Sequence, residues 1–348
     1  MNKKDHAGPR RRKAFKACIA LGMVYLMFSI FVLDIMTVLF CGRLEKRYPV
    51  ERESFAFVNE KDGGSRVHFL NVGNADAILL ESEGRFALID SGWGGDNPNP
   101  AAPREGTEAR ILDYLKKVAA DANGSVTLDF ILCSHYHYDH AGGFPLILAD
   151  PDIRTERAYL RGLSPVNQHG YELERWRIEE IRGRVVDIVN QRGFALAEEL
   201  PAGPFAMGAM QIQFLNLDSY DNPRLRGENE NSVVTLVTLG RTRALLAGDI
   251  SNRHGLEKEI AAQVGGEIDL LKLPHHGYAT STSMPFVRGL RPKIGIVTNA
   301  LGKIYPNVKW NLTMVSRTST YSTVGENGVI AHLSPEGEIR LTGNIHEE

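Results

Sequence analysis

The sequence predicts a mixed α/β domain carried behind a single apolar helix, and three observations support that expectation. Short apolar or alternating runs recur from about residue 65 onward, stretches of helical spacing separate them, and one long apolar run precedes them all. That run, Ala17 to Phe40, is broken only by Asp34 and is long enough to cross a bilayer.

The flanks of the run set an orientation. Lys3, Lys4, Arg10, Arg11, Arg12, Lys13 and Lys16 stand before it against Asp5 alone, and Arg43 and Lys46 follow it. This bias predicts a basic cytoplasmic tail (1–16), a transmembrane anchor (17–40) and an extracytoplasmic remainder: a single-pass protein of the cell membrane. A cleaved signal peptide is the rival reading. The run is long, no small-x-small site closes it, and Phe40 before Cys41 does not suit a lipoprotein. Asp34 is expected near the outer interface or against a partner helix. Cys18 and Cys41 bracket the anchor and Cys133 stands alone, so no disulfide is expected within the outer domain; Cys133 reads as a small buried core residue.

Residues 41–64 are charged, turn-rich toward Gly63-Gly64, and read as a linker to a domain at 65–345. Alternation predicts strands near Val67–Asn71, Ala77–Glu81 and Phe86–Asp90. Asp96 to Pro100 is a loop, and Thr107 to Ala120 has helical spacing with Thr107 as its cap. Leu128 to Cys133 reads as a buried strand, followed by strands at Ala158–Arg161, Ile212–Leu215, Val233–Leu239, Ala244–Ala247, Leu270–Leu273 and Ile294–Thr298. Helical stretches fall at His254–Val264 and Pro285–Leu290. Glu172 to Val189 interleaves Arg175, Trp176, Arg177, Arg182 and Arg184 with Glu172, Glu174, Glu179 and Glu180, which favours a salt-bridged amphipathic helix over a strand-gripping surface.

The chemistry is concentrated in His135-Tyr136-His137-Tyr138-Asp139-His140, followed by Ala141-Gly142-Gly143. Four metal-capable side chains within six residues, placed where a buried strand ends, point to a metal site. His135 and His137 can face one ion while Asp139 and His140 turn to a second beside it. Imidazole with carboxylate suits Zn²⁺, with Mn²⁺ or Fe²⁺ possible. Farther on, Asp249 ends a strand that pairs back through Gly240-Arg241-Thr242, where a carboxylate can bridge two ions. His275 and His276 end the next strand. Adjacent side chains on an extended segment diverge, so both reach one site only if the turn at Gly277 bends them together. One is expected to bind metal and the other to contact the scissile phosphate or leaving group; the reading leans to His276 as ligand and His275 as the catalytic partner. His68 and His254 have no such context and read as structural, and His169 as exposed.

These motifs, in their order, resemble the metallo-β-lactamase superfamily. Asn71-Val72-Gly73-Asn74-Ala75-Asp76 and Leu88-Ile89-Asp90-Ser91-Gly92 precede the histidine signature; Asn231-Ser232, Leu246-Ala247-Gly248-Asp249 and Leu273-Pro274-His275-His276-Gly277 follow it. Within the superfamily the order is similar to that in the hydrolase domain of the competence protein ComEC and its free-standing relatives, across roughly residues 65 to 345. The resemblance implies an αββα sandwich with two divalent ions, Zn²⁺ foremost, at one edge between the sheets. It implies His135, His137, Asp139, His140, Asp249 and His276 as ligands, Asp249 bridging, and Asp139, Asp249 and His275 as catalytic residues. Departures are visible. Where many superfamily hydrolases carry a further ligating His, this chain has Asn231, which becomes a candidate weak ligand or substrate contact. Tyr278 replaces the Ser usual after His-His-Gly, with Thr280 and Ser281 behind it. Tyr278 and Ser281 are candidate substrate contacts, and Tyr305-Pro306 survives without the family's His.

Function follows from two ions sharing a hydroxide: hydrolysis, most simply of a phosphodiester, with nucleic acid as the favoured substrate. Wall or lipid phosphodiesters are the alternative, a non-catalytic metal-stabilised binding ectodomain a further one, and β-lactam hydrolysis a weak one. Charge tempers the nucleic-acid reading. The whole chain carries 40 basic and 42 acidic side chains, and without the first sixteen residues the balance is 33 to 41, a formal −8. This balance weakens the case for broad field-driven attraction of a polyanion, while leaving room for a local basic groove. No protein partner is implied.

Overall fold

Two large sheets face one another across a shared apolar layer in this computed structural model, which describes residues 9–52, 63–98, 105–166, 170–225 and 227–346. The first sheet runs, edge to edge, Val50–Arg52, Ile339–Gly343, Val329–Leu333, Ser65–Phe69, Ile78–Ser82, Arg85–Ile89, Phe130–Leu132, Ala158–Tyr159 and Leu196–Ala197. The second runs Phe205–Met207, Met210–Leu215, Val234–Leu239, Thr242–Leu246, Leu270–Lys272, Ile294–Val297 and Ser319–Ser322.

The period of two along a strand explains the layering. Ile78, Leu80, Ala87, Ile89, Phe130 and Leu132 point toward the second sheet, while Leu79, Leu88 and Ile131 point outward. The outward set is covered by helices at Glu108–Val118, Phe144–Ala149 and Ile178–Gln191. In the second sheet Ala244, Leu246 and Leu270 face inward. Leu245 and Leu271 pack outward under Leu256–Val264, Met284–Leu290 and the turn-and-helix segment ending at Ser316. Helix, sheet, sheet, helix is the expected αββα order. Strands buried on both faces read as continuous apolar runs, which is why the sequence showed them so clearly. Each such side chain taken fully from water contributes about 1.5–3 kcal/mol.

Several local expectations shift. The run Leu128 to Cys133 is two strands broken at Asp129: Val126–Leu128 pairs with Ile153–Thr155, and Phe130–Leu132 enters the first sheet beside Arg85–Ile89. Thr107 precedes the helix Glu108–Val118, but its hydroxyl donates to the Trp93 carbonyl instead of capping. The 172–189 stretch is two helices, Gly170–Trp176 and Ile178–Gln191, divided at Arg177 in a left-handed conformation (φ 57°). Its charges pair in part as predicted: Arg177 and Arg184 with Glu180, whereas Arg182 reaches outside the stretch to Glu198. His68 is buried between the Tyr114 hydroxyl and Glu81, in keeping with a structural role. His169 and the tail before residue 9 lie outside the described residues.

The linker expected at 41–64 needs correction over its first part. The N-terminal helix runs from Pro9 to Leu44, beyond the 17–40 limits at both ends, and Glu45–Arg47 adds a tight turn. Val50–Arg52 then joins the first sheet, parallel to Ile339–Gly343. The docking is polar and specific. Cys41 Sγ lies 3.2 Å from Thr313 Oγ1, Ser319 Oγ donates to the Leu44 carbonyl, and Tyr321 donates to that of Glu45. Asp34 faces a short helix of the same chain, Pro306–Trp310, where its carboxylate is 2.8 Å from Lys309 Nζ.

Candidate metal centre

The histidine signature lies where the first sheet's Phe130–Leu132 strand ends. His137 begins the short helix Tyr138–Ala141, with extended dihedrals (φ −65°, ψ 147°) that turn its ring back toward His135. Two glycines let the loop close. A Cβ on Gly143 would stand 2.1 Å from the Ser91 carbonyl oxygen, and Ser91 in turn donates from its amide and hydroxyl to the His140 carbonyl. Gly248 adopts φ 52° just before Asp249, where a Cβ would press on Ser232.

Four groups converge. His140 Nε2 and His276 Nε2 are 3.3 Å apart, and each lies 3.3 Å from Asp249 Oδ2; Asp139 Oδ2 is 3.4 Å from His276 Nε2. Ligands about 2.0–2.2 Å from a tetrahedral ion are themselves separated by roughly 3.3–3.6 Å, so this set fits a divalent metal. His135 Nε2 and His137 Nδ1 show the same separation, 3.2 Å, and form a second pair of donors. The His275-His276 problem is solved by backbone strain. Both residues take left-handed conformations (φ 49° and 48°) in the turn Pro274–Gly277, which sends His276 into the buried cluster and leaves His275 at the pocket wall. Such conformations cost about 1–3 kcal/mol each and are concentrated at functional sites.

The far nitrogen of every ring is also held. His140 Nδ1 is 2.8 Å from Asp90 Oδ2, itself in a left-handed conformation (φ 58°); His135 Nδ1 meets the Ser134 hydroxyl; His137 Nε2 is 3.2 Å from Glu172 Oε1; and His276 Nδ1 meets Thr298, which donates to Asp76. Carboxylates and hydroxyls behind imidazoles fix tautomer and ring orientation, the usual support for metal-binding histidines. Lys272 is wholly buried beneath them, paired with Asp76, 3.5 Å from Asp249 Oδ1 and donating to the Gly248 carbonyl.

Electrostatics separates the two groups. Burial pushes His276 down, but Asp249 and Asp76 outweigh it and hold the ring at about 9. His140 is raised in the same way by Asp249 and Asp90 against burial. Asp139 is held at about 2, burial being overcome by His140 and His276. His135 is depressed well below the ordinary range, first by burial and then by His140 and His137. Burial also lowers His275, to about 4, so at neutral pH its ring is an uncharged hydrogen-bonding group.

A pocket of about 260 Å³ opens over these groups, lined by His137, Asp139, Asp249, His275 and His276 and walled by Trp93, Trp176 and Tyr278. Tyr278 thus sits where a substrate contact was expected, its hydroxyl accepting from Asn74 Nδ2. Asn231 does not. It is buried with its Oδ1 accepting from Arg161 and Ser219, and it is Asn229 that faces the pocket, 3.3 Å from His275 Nε2. Ser281 is likewise corrected: buried, it donates to the carbonyls of Pro274 and Tyr278 and holds the His-His-Gly turn. The side-chain oxygens of Asn74 and Asn229 are buried at the pocket without a protein partner, as atoms awaiting a ligand would be.

Sequence reasoning named the rings but not their supports. Asp90 stood inside a quoted motif without a role, Glu172 was read only as a helix-surface charge, and Ser134, Thr298, Lys272 and Asn229 gave no signal. Their positions depend on strand ends from both sheets meeting at one edge.

The family model of the Metallo-beta-lactamase superfamily matches residues 70–205. Recombination protein 2 of Haemophilus influenzae is 26% identical over 279 residues, 79% of this chain and 28% of that protein. ComE operon protein 3 of Bacillus subtilis is 20% identical over 240 residues, 67% of this chain and again 28% of that protein. The chain therefore spans 28% of the length of these curated relatives. Among solved structures, the metallo-beta-lactamase fold protein YhfI from Bacillus subtilis aligns with a TM-score of 0.46 and 12% identity, covering 74% of this chain and 96% of that one.

Proposed function

We propose that this chain, a metallo-β-lactamase superfamily hydrolase related to ComEC-type proteins, is a membrane-anchored two-metal phosphodiesterase that acts on nucleic acid outside the cytoplasm. The observation that carries the reading is the convergence of His140, His276 and Asp249 at 3.3 Å, with Asp139 beside them. One ion would be held by Asp139, His140, Asp249 and His276, the other by His135, His137 and the shared Asp249. Divalent ions there supply a water acidic enough to attack at neutral pH and positive charge for the phosphate oxygens.

The chain's own residues do the rest. Asp249 and Asp139 would offset part of the ions' charge and leave a net positive site for the phosphate. Neutral His275, braced by Asn229 and Thr280, offers its ring to the scissile phosphate or leaving group as a positioning contact. Any cation bound nearby lowers His275 further, so its contact with the phosphate or leaving group would be a hydrogen bond rather than a proton transfer. Trp93, Trp176 and Tyr278 line the pocket, and aromatic side chains there could stack a base, worth about 1–3 kcal/mol per base in single-strand binders, which supports nucleic acid over wall polymers.

The test uses the full chain in detergent, loaded separately with Zn²⁺ and Mn²⁺. Hydrolysis of bis(p-nitrophenyl) phosphate, then of single-stranded DNA, is compared with the His276→Ala variant. Metal-dependent turnover of both substrates, lost in the variant, is the expected result. Turnover of the small ester without DNA cleavage would move the substrate to wall or lipid phosphodiesters, and stoichiometric metal binding without any turnover would sink the phosphodiesterase.

A further inference from the structure

We propose that a rim formed by Leu301, Tyr305 and Trp310 rests in the headgroup layer of the bilayer crossed by the N-terminal helix; the inference rests on reading that helix as an anchor. From Ala17 to Leu33 the helix is apolar and almost wholly exposed. At about 1.5 Å per residue this stretch measures roughly 25 Å, comparable to the about 30 Å of a hydrocarbon core. Lys13 and Lys16 mark one end, and Asp34 is the first charge at the other.

Asp34 therefore marks a level on the domain. Its partner is Lys309, 2.8 Å away. The helix's later contacts, Cys41 with Thr313 and Leu44 with Ser319, lie progressively farther from the apolar stretch. The part of the domain nearest the hydrocarbon is thus the helix Pro306–Trp310 with the turn Leu301–Lys303 before it. Leu301 also lines an apolar crevice of about 410 Å³ against Thr37 and Val38, which places that turn beside the helix independently.

What this level exposes is suited to lipid. Leu301 is 39% exposed, Tyr305 44% and Trp310 36%, with Lys303 exposed among them. Headgroup layers are about 5–7 Å deep on each side, and amphipathic Trp and Tyr rings concentrate there. A neighbouring lysine adds attraction to anionic lipid phosphate. The rim is continuous with the site: the Tyr305 ring centroid lies 5.7 Å from that of Tyr278, which walls the metal pocket. The pocket accordingly opens one aromatic ring away from the membrane surface, and its substrate approaches along that surface.

The test places the full chain in phosphatidylcholine–phosphatidylglycerol nanodiscs whose lipids are brominated high on the acyl chain, and compares tryptophan quenching in the wild type and in Trp310→Phe. Trp93 and Trp176, in the pocket, serve as internal references, and an unchanged melting temperature verifies the variant's fold. Quenching that depends on brominated lipid and is mostly lost in Trp310→Phe is the expected result. Equal quenching in both proteins, or none from a chain that has entered the nanodisc, overturns the rim while leaving the anchor. A chain that fails to enter the nanodisc overturns the anchor reading and the rim with it.

Discussion

At one end of the site, atoms of Asp139, His140, Asp249 and His276 lie within 4.8 Å of one another, and all but Asp139 are buried. At the other, among the described residues, His135 and His137 face each other at 3.2 Å, while Arg161 and Ser219 hold the Asn231 side chain that would have stood third. On the proposed two-ion reading, the first end would offer a full set of protein donors, while the second would share Asp249 and complete its shell from Asn229 or solvent. The strained backbone and most of the carboxylates stand at the first end. The left-handed conformations at Asp90, His275 and His276 serve the complete end.

Removing the shared ligand should break the comparison altogether. Asp249→Ala is expected to lower kcat/KM by roughly a thousandfold or more, about 4 kcal/mol of transition-state stabilisation. Steady-state kinetics with saturating metal would test it, and a loss below tenfold would deny Asp249 its bridging place. Sharpening the comparison requires counting ions. Calorimetric titration of chelated protein should give two classes of site differing by at least about tenfold, the range over which incomplete ligand support alters affinity. His276→Ala should delete the tighter class and His137→Ala the weaker. A single class of equal sites would show the two ends to be equivalent.

Protons should distinguish the ends as well. In metal-free protein His276 sits at about 9 and is protonated at neutral pH, so a metal must displace that proton. His140 is raised in the same way, so affinity at the complete end should climb with pH more steeply than the about tenfold per unit of a single proton. At the weaker end His135 is already neutral, while burial of His137 is outweighed by Glu172 and Asp139, so one proton at most is displaced there and the slope should be shallower. Titrations from pH 6 upward, in about unit steps, would read the two slopes; equal slopes would contradict the assignment.

How much of this was legible beforehand depends on how local each feature is. The sheets showed in sequence because their strands are buried on both faces and appear as plain apolar runs. Ser319–Ser322 escaped because it is polar: Ser319 and Ser322 are buried yet satisfied by the carbonyls of Leu44 and Asn299, a solution no periodicity reveals. The rings that converge at the site were visible from spacing. Asn231 was read from its motif position without its partner, since Arg161 is 70 residues away and only the fold brings it to that amide. Asp34 looked like a flaw in an apolar helix for the same reason, its partner Lys309 being 275 residues distant.

Glu172 gives the finest test of the unequal pair, because it supports only the weaker end. Its carboxylate holds His137 Nε2 at 3.2 Å, while its other oxygen accepts the Glu228 amide, so together with Trp176, which packs on His137, it ties the helix Gly170–Trp176 to the site. Glu172→Gln keeps the shape and the amide contact but removes the charge that strengthens the imidazole as a ligand. The expected result is about a tenfold loss of affinity at the weaker class, with the tighter class unmoved. The corresponding change at the complete end, Asp90→Asn, should act mainly on the tighter class through His140 and more weakly on the other, because Asp90 also holds the Ser134 hydroxyl that meets His135. If Glu172→Gln shifts both classes together, the two ends behave as one coupled site, and the difference between them lies in geometry rather than in affinity.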